Sequence, residues 1–259
     1  MCIRDSPYTL KKPVKDLYFD TTITDPYRWL EDEYSPKTKS WVEKQNSTTN
    51  RYLRKISYRN NIENRLKEVW DYPSYSIPFK KGNNYYFYKN DGMQNQSVLY
   101  TTESLDKEPE VLLDPNTLSR DGTIALRGTY FSKSCNYMGY ALSKAGSDWI
   151  EFYILNLKTR NLLKDKINWV KFSGMSWHGN GFYYTKYPKP DKNNTLSGRN
   201  ENSKVFYHLL GTTQDADKLV FFDPKTPRIA PSVATSSDEK FLFLYRSKGT
   251  YGNALFFRD

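Results

Sequence analysis

Residues 138–157, "MGYALSKAGSDWIEFYILNL", set the pattern of the whole chain: two aromatic-rich runs flank a short polar stretch. Aromatic and β-branched runs of this length favour β-strands, and the "AGSD" stretch at 145–148 is typical of a turn. The segment therefore predicts a β-hairpin. The same order of strand, turn and strand occurs three more times, at residues 85–103, at 181–188 continued by 203–211, and at 241–259.

The sequence around these hairpins indicates additional strands. Serine-containing stretches precede three of them, at residues 129–137, 171–181 and 233–240, and "EVLLDPN" (110–116) and "RNLLKDK" (160–166) follow the first two. Groups of about four short strands repeated every ~40–50 residues predict β-propeller blades, each of which buries its faces by stacking on its neighbours. A β-sandwich is the alternative, but the repeated order favours the propeller. The fourth repeat lacks an outer strand, so we expect about three and a half blades and a chain that is the front part of a longer protein.

A helical segment precedes the strands. Asp25 with Pro26 in "DPYRWLED" (25–32), and Ser35 with Pro36, are cap and first-turn pairs that start helices, and Asn60 or Asn61 can cap another. Prolines in "DYPSYSIP" (71–78) then favour extended backbone, which places a domain boundary at residue 72. Residues 7–71 thus form a helical preface to strands at 72–259, and residues 1–6, "MCIRDS", are expected to be an assembly scar that is not native.

Composition limits the partners and the compartment. The net charge of +10 is scattered, without the basic stripe or motif of a nucleic-acid binder, so we expect no nucleic-acid partner. No apolar run approaches the ~20 residues of a membrane span, so we expect no membrane partner. Cys2 and Cys135 supply neither a disulfide framework nor metal-ligand spacing, which favours a reducing compartment such as the cytoplasm.

Candidate catalytic residues are few, because the chain has two histidines. Ser176 and His178 lie in "GMSWHG" (174–179), whose spacing does not match the nucleophile elbow G-x-S-x-G, and a tight turn explains it better. His208 is predicted to be a hydrogen-bonded strand residue. The carboxylate pairs are predicted to lie on solvated surfaces: Glu31 with Asp32 and Asp215 with Asp217. No metal or nucleotide motif occurs, so we expect no cofactor.

Several separated motifs carry a resemblance to a known family. They are "DPYRWLED" (25–32), "TKSWVEKQN" (38–46), residues 70–100 including "GMQNQSVLY", residues 113–132, "GSDW" (146–149) and "VKFSGMSW" (170–177). In this order they resemble the N-terminal part of the prolyl oligopeptidases, a family of serine peptidases, over residues 7–259. The resemblance implies a seven-bladed propeller inserted into an α/β-hydrolase domain, with the helical preface belonging to the hydrolase part.

The resemblance also implies an activity and one site residue. The family cleaves short peptides after proline with a Ser-His-Asp triad that follows the propeller, so no catalytic residue is expected in this chain. Phe172 matches a propeller phenylalanine that lines the pocket for a substrate residue upstream of proline. Ala230 and Thr250 fall near two other pocket positions but differ from the family's larger or sulfur-containing side chains. Residues 188–203 correspond to a flexible loop that gates substrate entry.

Two functional hypotheses follow. In the first, the chain is the front part of a prolyl oligopeptidase, contributes the propeller that restricts access to the active site, and is inactive without the missing α/β-hydrolase part. Its substrates are then proline-containing oligopeptides. In the second, the chain is a stand-alone propeller-like module that binds proteins or peptides, although an open half-ring would expose sheet edges and an apolar flank.

Overall fold

The computed structural model describes residues 6–32, 34–190, 198–249 and 251–259, and the described residues fall into two compact units that divide after Trp70. The unit before this division contains a small hairpin and two α-helices, and the unit after it consists of antiparallel sheets. The protein is thus mainly β, as the hairpin repeats predict. Among the described residues, no helix is both long and apolar enough to cross a membrane.

The first unit begins with a hairpin that the sequence patterns did not predict. Strand β1 (Val14–Tyr18) pairs antiparallel with β2 (Thr21–Asp25). A two-stranded hairpin is marginal by itself. Here Arg28 binds both strands, because its guanidinium contacts the carboxylates of Asp16 and Asp25. An ion pair contributed by the next segment therefore stabilises this pairing.

The helical predictions are confirmed in part. Residues Arg28–Glu31 form a 3-10 turn rather than the start of an α-helix, although the Asp25 carboxylate accepts a hydrogen bond from the Tyr27 amide. Helix α1 (Pro36–Leu53) begins as predicted, because the Ser35 hydroxyl accepts a hydrogen bond from the Lys37 amide and Pro36 occupies the first turn. Helix α2 (Arg59–Trp70) begins at Arg59, so Asn60 and Asn61 lie in its first turn instead of capping it.

The helical unit exposes several large apolar side chains. Trp29 and Trp41 are half-buried, and their indole N–H groups donate to the Leu10 carbonyl and the Thr9 hydroxyl. Large apolar side chains on both helices remain exposed: Val42, Tyr52, Ile62, Leu66, Val69 and Trp70. Since an amphipathic helix is stabilised mainly by covering its apolar face, these exposed side chains contribute little to the stability of the two helices.

The second unit consists of four antiparallel groups of strands, which we call blades 1 to 4. Blade 1 comprises β3 (Ser74–Tyr75), β4 (Phe79–Lys81), β5 (Asn84–Asn90), β6 (Val98–Thr102) and β7 (Glu110–Leu113). Blade 2 comprises β8 (Ile124–Phe131), β9 (Tyr137–Lys144), β10 (Ile150–Asn156) and β11 (Leu162–Val170). The four predicted hairpins are confirmed: β5 pairs with β6 and β9 with β10 in these two blades, and the remaining two hairpins lie in the blades that follow.

Blades 3 and 4 continue this pattern. Blade 3 comprises β12 (Ser176–His178), β13 (Gly181–Lys186), β14 (Lys204–Leu209) and β15 (Lys218–Phe221). Blade 4 has three strands, β16 (Pro231–Thr235), β17 (Leu242–Lys248) and β18 (Tyr251–Arg258). The pairing between blades 2 and 3 consists of a single residue pair, Val170 with Lys186. Side chains must therefore hold these two blades together. The four blades form an open, partial propeller.

Blade 2 is buried on both faces. Met138, Tyr140 and Leu142 of β9 belong to a buried cluster with residues of blade 1, whereas Ala141 belongs to a second cluster with residues of blade 3. This alternation follows the two-residue period of a strand. Phe152 is the largest side chain that blade 2 places in the second cluster, where its ring packs edge-on against Phe182 and Tyr184.

We predict that Phe152→Ala lowers the free energy of unfolding by about 3–5 kcal/mol, because it removes a fully buried ring and leaves a cavity between blades 2 and 3. Phe257→Ala is the matched control, since that ring is 71% exposed, and it should cost less than about 1 kcal/mol. Urea unfolding of both variants measures the difference. Equal destabilisation would contradict the packing described for blade 2.

Candidate functional site

Ser176 and His178 do not form a catalytic pair in the structure. The Ser176 hydroxyl lies 3.1 Å from the Thr235 hydroxyl and accepts a hydrogen bond from the Thr235 amide at 2.8 Å, which ties β12 to β16. His178 instead packs its ring against Tyr183 and Tyr207. Gly179 follows with a φ of +54°, so the predicted tight turn between β12 and β13 is confirmed.

The prediction for His208 is confirmed, and the prediction for Asp217 is wrong. His208 is fully buried and hydrogen-bonded through both ring nitrogens, to Asp165 and to Asp217. The Asp217 side chain is only 1% exposed, because the imidazole and the Tyr184 hydroxyl cover it, whereas Asp215 lies on the surface. Among the described residues, no group of three or more histidine, cysteine or acidic side chains is placed to hold a metal ion.

Phe172 lies in the connection from β11 to β12, and its side chain points into solvent. Its exposure is 67%, in contrast to the phenylalanine rings buried between blades 2 and 3, Phe152 and Phe182. Its φ is +56°, and Trp169 three residues earlier has a φ of +60°. The left-handed region costs a non-glycine residue roughly 1–2 kcal/mol, and such strain is concentrated at ligand-binding sites and switch regions. The backbone is therefore strained where it exposes this ring.

Lys171 contacts the exposed Phe172 ring through its ammonium group. Its side chain is 8% exposed, and its ammonium lies 5.2 Å from the centre of the Trp149 ring and 5.3 Å from that of Phe172. The same ammonium forms an ion pair with the Asp148 carboxylate, whose Oδ2 lies 3.7 Å away. A desolvated cation between two aromatic faces is attracted by both ring quadrupoles, which restrains Phe172.

Further aromatic rings, which are half-buried or buried, pack around Trp149. Trp149 packs edge-on against Trp169 at 5.6 Å and against Tyr187 at 6.4 Å, while the ammonium of Lys189 lies over Trp169. Burial raises the pKa of Tyr187, so its hydroxyl remains neutral at physiological pH. We call this group the aromatic–cation cluster: Trp149, Trp169, Lys171, Phe172, Tyr187 and Lys189.

The other predicted pocket positions are only partly described. Ala230 is exposed, and Thr250 lies outside the described residues. Of the loop at 188–203, residues 191–197 also lie outside them. The end of this loop is anchored, because the Asn202 amide donates to the Pro227 carbonyl and Glu201 forms an ion pair with Arg228.

The aromatic–cation cluster has the chemistry of a binding surface. The exposed face of Phe172 can pack against apolar side chains and proline rings, and in the described residues no nucleophile is hydrogen-bonded to a base beside it. Sequence reasoning selected Phe172 but missed Lys171, Trp149 and Trp169. Their signal was available, since Trp149 lies in "GSDW" and Lys171 in "VKFSGMSW", two of the motifs that carried the family resemblance.

Four successive antiparallel blades after a helical segment define the class of protein as a β-propeller that begins after a separate helical unit. Residues 7–259 match the family model described as prolyl oligopeptidase, N-terminal beta-propeller domain. The chain therefore belongs to the prolyl oligopeptidase family.

Individual relatives agree with this assignment. The prolyl endopeptidase of Elizabethkingia meningoseptica is 41% identical over 254 residues, which cover 98% of this chain and 36% of that protein. A solved structure of prolyl oligopeptidase B from Galerina marginata with a 25-residue macrocyclization substrate is 27% identical, with a TM-score of 0.82, over 98% of this chain and 39% of that one. Oligopeptidase B of Leishmania major, at 17% identity and a TM-score of 0.75 over 93% of this chain and 36% of that one, shares the fold. The chain thus spans little more than a third of the length of these relatives.

We predict that Lys171→Met lowers the free energy of unfolding by about 1–2 kcal/mol, because it keeps most of the buried stem but removes the charge between two rings. Asp148 is 65% exposed and stays solvated without its partner, so it adds little penalty. Lys189→Met is the control, since the residue is exposed and its ammonium contacts one ring. Urea unfolding should show a clear loss for the first variant and less than about 0.5 kcal/mol for the second. The reverse order would contradict the role given to Lys171.

Proposed function

We propose that this chain is the N-terminal portion of a prolyl oligopeptidase-like serine endopeptidase that cleaves short peptides on the carboxyl side of proline. The observation that carries the proposal is the match of residues 7–259 to the propeller of that family, together with a relative of 41% identity named prolyl endopeptidase. In this proposal the propeller limits access to the active site, and its substrates are proline-containing oligopeptides.

The proposal assigns the two units to different parts of the enzyme. Residues 7–71 belong to the α/β-hydrolase domain, and the propeller begins at residue 72. The division of the described residues after Trp70 supports this boundary, and so do the apolar side chains that both helices leave exposed. A catalytic α/β-hydrolase part, which is not in this chain, would cover that surface.

The chemistry is then shared between this chain and the catalytic part. A serine of the catalytic part attacks the carbonyl carbon of the proline residue. A histidine takes the proton of the serine hydroxyl and donates it to the leaving amine, and an oxyanion hole stabilises the developing charge. Phe172 would contact the substrate residue upstream of proline. The exposed and restrained ring supports this role, because a fixed apolar face loses little conformational entropy when it binds.

We also propose that the enzyme works in the cytoplasm. The support is the cysteine content, since two cysteines in 259 residues provide no disulfide framework for an oxidising compartment.

We predict that a serine-directed fluorophosphonate does not label the 259-residue chain. The reason is that the Ser176 hydroxyl is hydrogen-bonded to Thr235 and that, within the described part of the chain, it is hydrogen-bonded to no base. Mass spectrometry of the treated chain measures the adduct, with a known serine peptidase as the positive control. Stoichiometric labelling at Ser176 would contradict the proposal that the triad lies in another part of the enzyme.

In the complete enzyme, we predict that Phe172→Ala raises KM about 5–30-fold for peptides with a large apolar residue upstream of proline, which corresponds to roughly 1–2 kcal/mol of lost contact. The same variant should cleave a minimal substrate without that residue at the wild-type rate, which provides an internal control. Steady-state kinetics on the two substrates distinguishes the outcomes. An equal loss on both would show that Phe172 supports the fold and does not contact the upstream residue.

A further inference from the structure

A buried cluster of charged groups lies between blades 2 and 3, away from the aromatic–cation cluster. His208 of β14 places Nε2 3.0 Å from Asp165 Oδ1 on β11 and Nδ1 2.7 Å from Asp217 Oδ1, just before β15. The side chains of all three residues are at most 3% exposed. We call Asp165, His208 and Asp217 the Asp–His–Asp cluster.

The hydrogen bonds of this cluster favour one protonation state of His208. The Gly211 amide donates to Asp165 at 2.6 Å and the Tyr184 hydroxyl donates to Asp217 at 2.5 Å, so both carboxylates act as acceptors. A neutral imidazole has one N–H and one lone pair. With an acceptor oxygen at each ring nitrogen, a neutral His208 would point a lone pair at a carboxylate. Only the doubly protonated imidazolium donates to both.

We propose that the Asp–His–Asp cluster is a proton-binding site that joins blade 2 to blade 3, and that release of this proton at alkaline pH weakens the interface between the two blades. The site spans the interface, because Asp165 belongs to blade 2 while His208 and Asp217 belong to blade 3. Backbone pairing contributes little here, since a single residue pair links the blades. Side chains therefore carry the directional contacts, which include Gln214 with the backbone of Asn168.

The surroundings favour the protonated form. Burial is the largest single influence and disfavours the charged imidazole, but the hydrogen bonds and negative charges of Asp217 and Asp165 outweigh it and raise the pKa of His208 above 6.5. The other titratable groups nearby are Tyr184 and Lys186 on β13 and the exposed Asp215 before β15. Burial raises the pKa of Tyr184, so it remains a neutral donor.

The direction of the pH effect follows from linkage. A group that binds its proton more tightly in the folded state stabilises that state fully below its unfolded pKa, near 6.5 for histidine. The contribution is lost as pH rises through the higher folded pKa. The interface should therefore be strongest in mildly acidic solution and weaken above neutral pH.

A histidine titration by NMR tests the protonation state directly. Since the chain has two histidines, His178→Gln leaves His208 as the only imidazole signal. We expect nitrogen shifts of a doubly protonated ring at pH 7, which change to those of a neutral ring only at alkaline pH. Asp217→Asn should lower the midpoint of this change by at least one unit, whereas Asp215→Asn, at the exposed neighbour, should change it little. A singly protonated ring at pH 7, or equal effects of the two aspartate variants, would overturn the proposal.

The second measurement tests the coupling to the interface. Hydrogen exchange of the Gly211 amide, corrected for the intrinsic effect of pH, should show more frequent opening at pH 9 than at pH 6, because this amide donates to Asp165. The Leu155 amide, in β10 against β9, is the control within blade 2 and should change much less. In urea, wild type should exceed His208→Gln in stability by a margin that shrinks from pH 6 to pH 9. The proposal would be overturned if neither the stability difference between wild type and His208→Gln nor the opening frequency of the Gly211 amide changed with pH.

Discussion

A β-sheet with two apolar faces is stable only when both are covered, and blade 2 meets this requirement through neighbours on each side. Successive residues of β9 illustrate the dependence, since Tyr140 packs toward blade 1 and Ala141 toward blade 3. A register slip of one residue would exchange these faces and place large rings where small side chains fit. The need to cover both faces of a blade also explains the high aromatic content of the chain. With a mean hydropathy of −0.81, the chain fills its blade interfaces with aromatic rings, some of which carry a hydroxyl.

The same stacking creates the candidate site. The chain passes from blade 2 to blade 3 through the end of β11 and the connection to β12, and two residues with positive φ lie there, Trp169 in β11 and Phe172 in the connection. Such strain persists only where surrounding contacts over-determine the backbone. Lys171 supplies such contacts here, because its buried ammonium lies against the Trp149 ring on blade 2 and against the Phe172 ring in the connection. The aromatic surface is therefore a consequence of how two blades are joined.

Local patterns predicted local features well. The hairpins and the start of α1 at Ser35 and Pro36 could be predicted because strand period, turn residues and helix caps act over a few neighbours. Two local details were wrong, the 3-10 turn at Arg28–Glu31 and the start of α2, whereas the larger failures involve distant partners. The β1–β2 hairpin depends on Arg28, and Asp217 is buried because it meets a histidine and a tyrosine from other strands. Phe172 could be selected only through family resemblance, since its sequence context is equally typical of a blade-core aromatic.

Buried charge is not an efficient way to stabilise an interface, because desolvation cancels much of the attraction and apolar replacements are often as stable. Blades 2 and 3 already share an apolar cluster that includes Phe152 and Phe182. Apolar contacts are not directional, so they tolerate small sliding movements between sheets. The Asp–His–Asp cluster does not tolerate such movements, since a shift of β14 by one residue would turn His208 to the opposite face and leave two carboxylates buried without the imidazole between them. The high cost of that state restricts blades 2 and 3 to one alignment, which fixes the start of β14 and hence the end of the 188–203 loop.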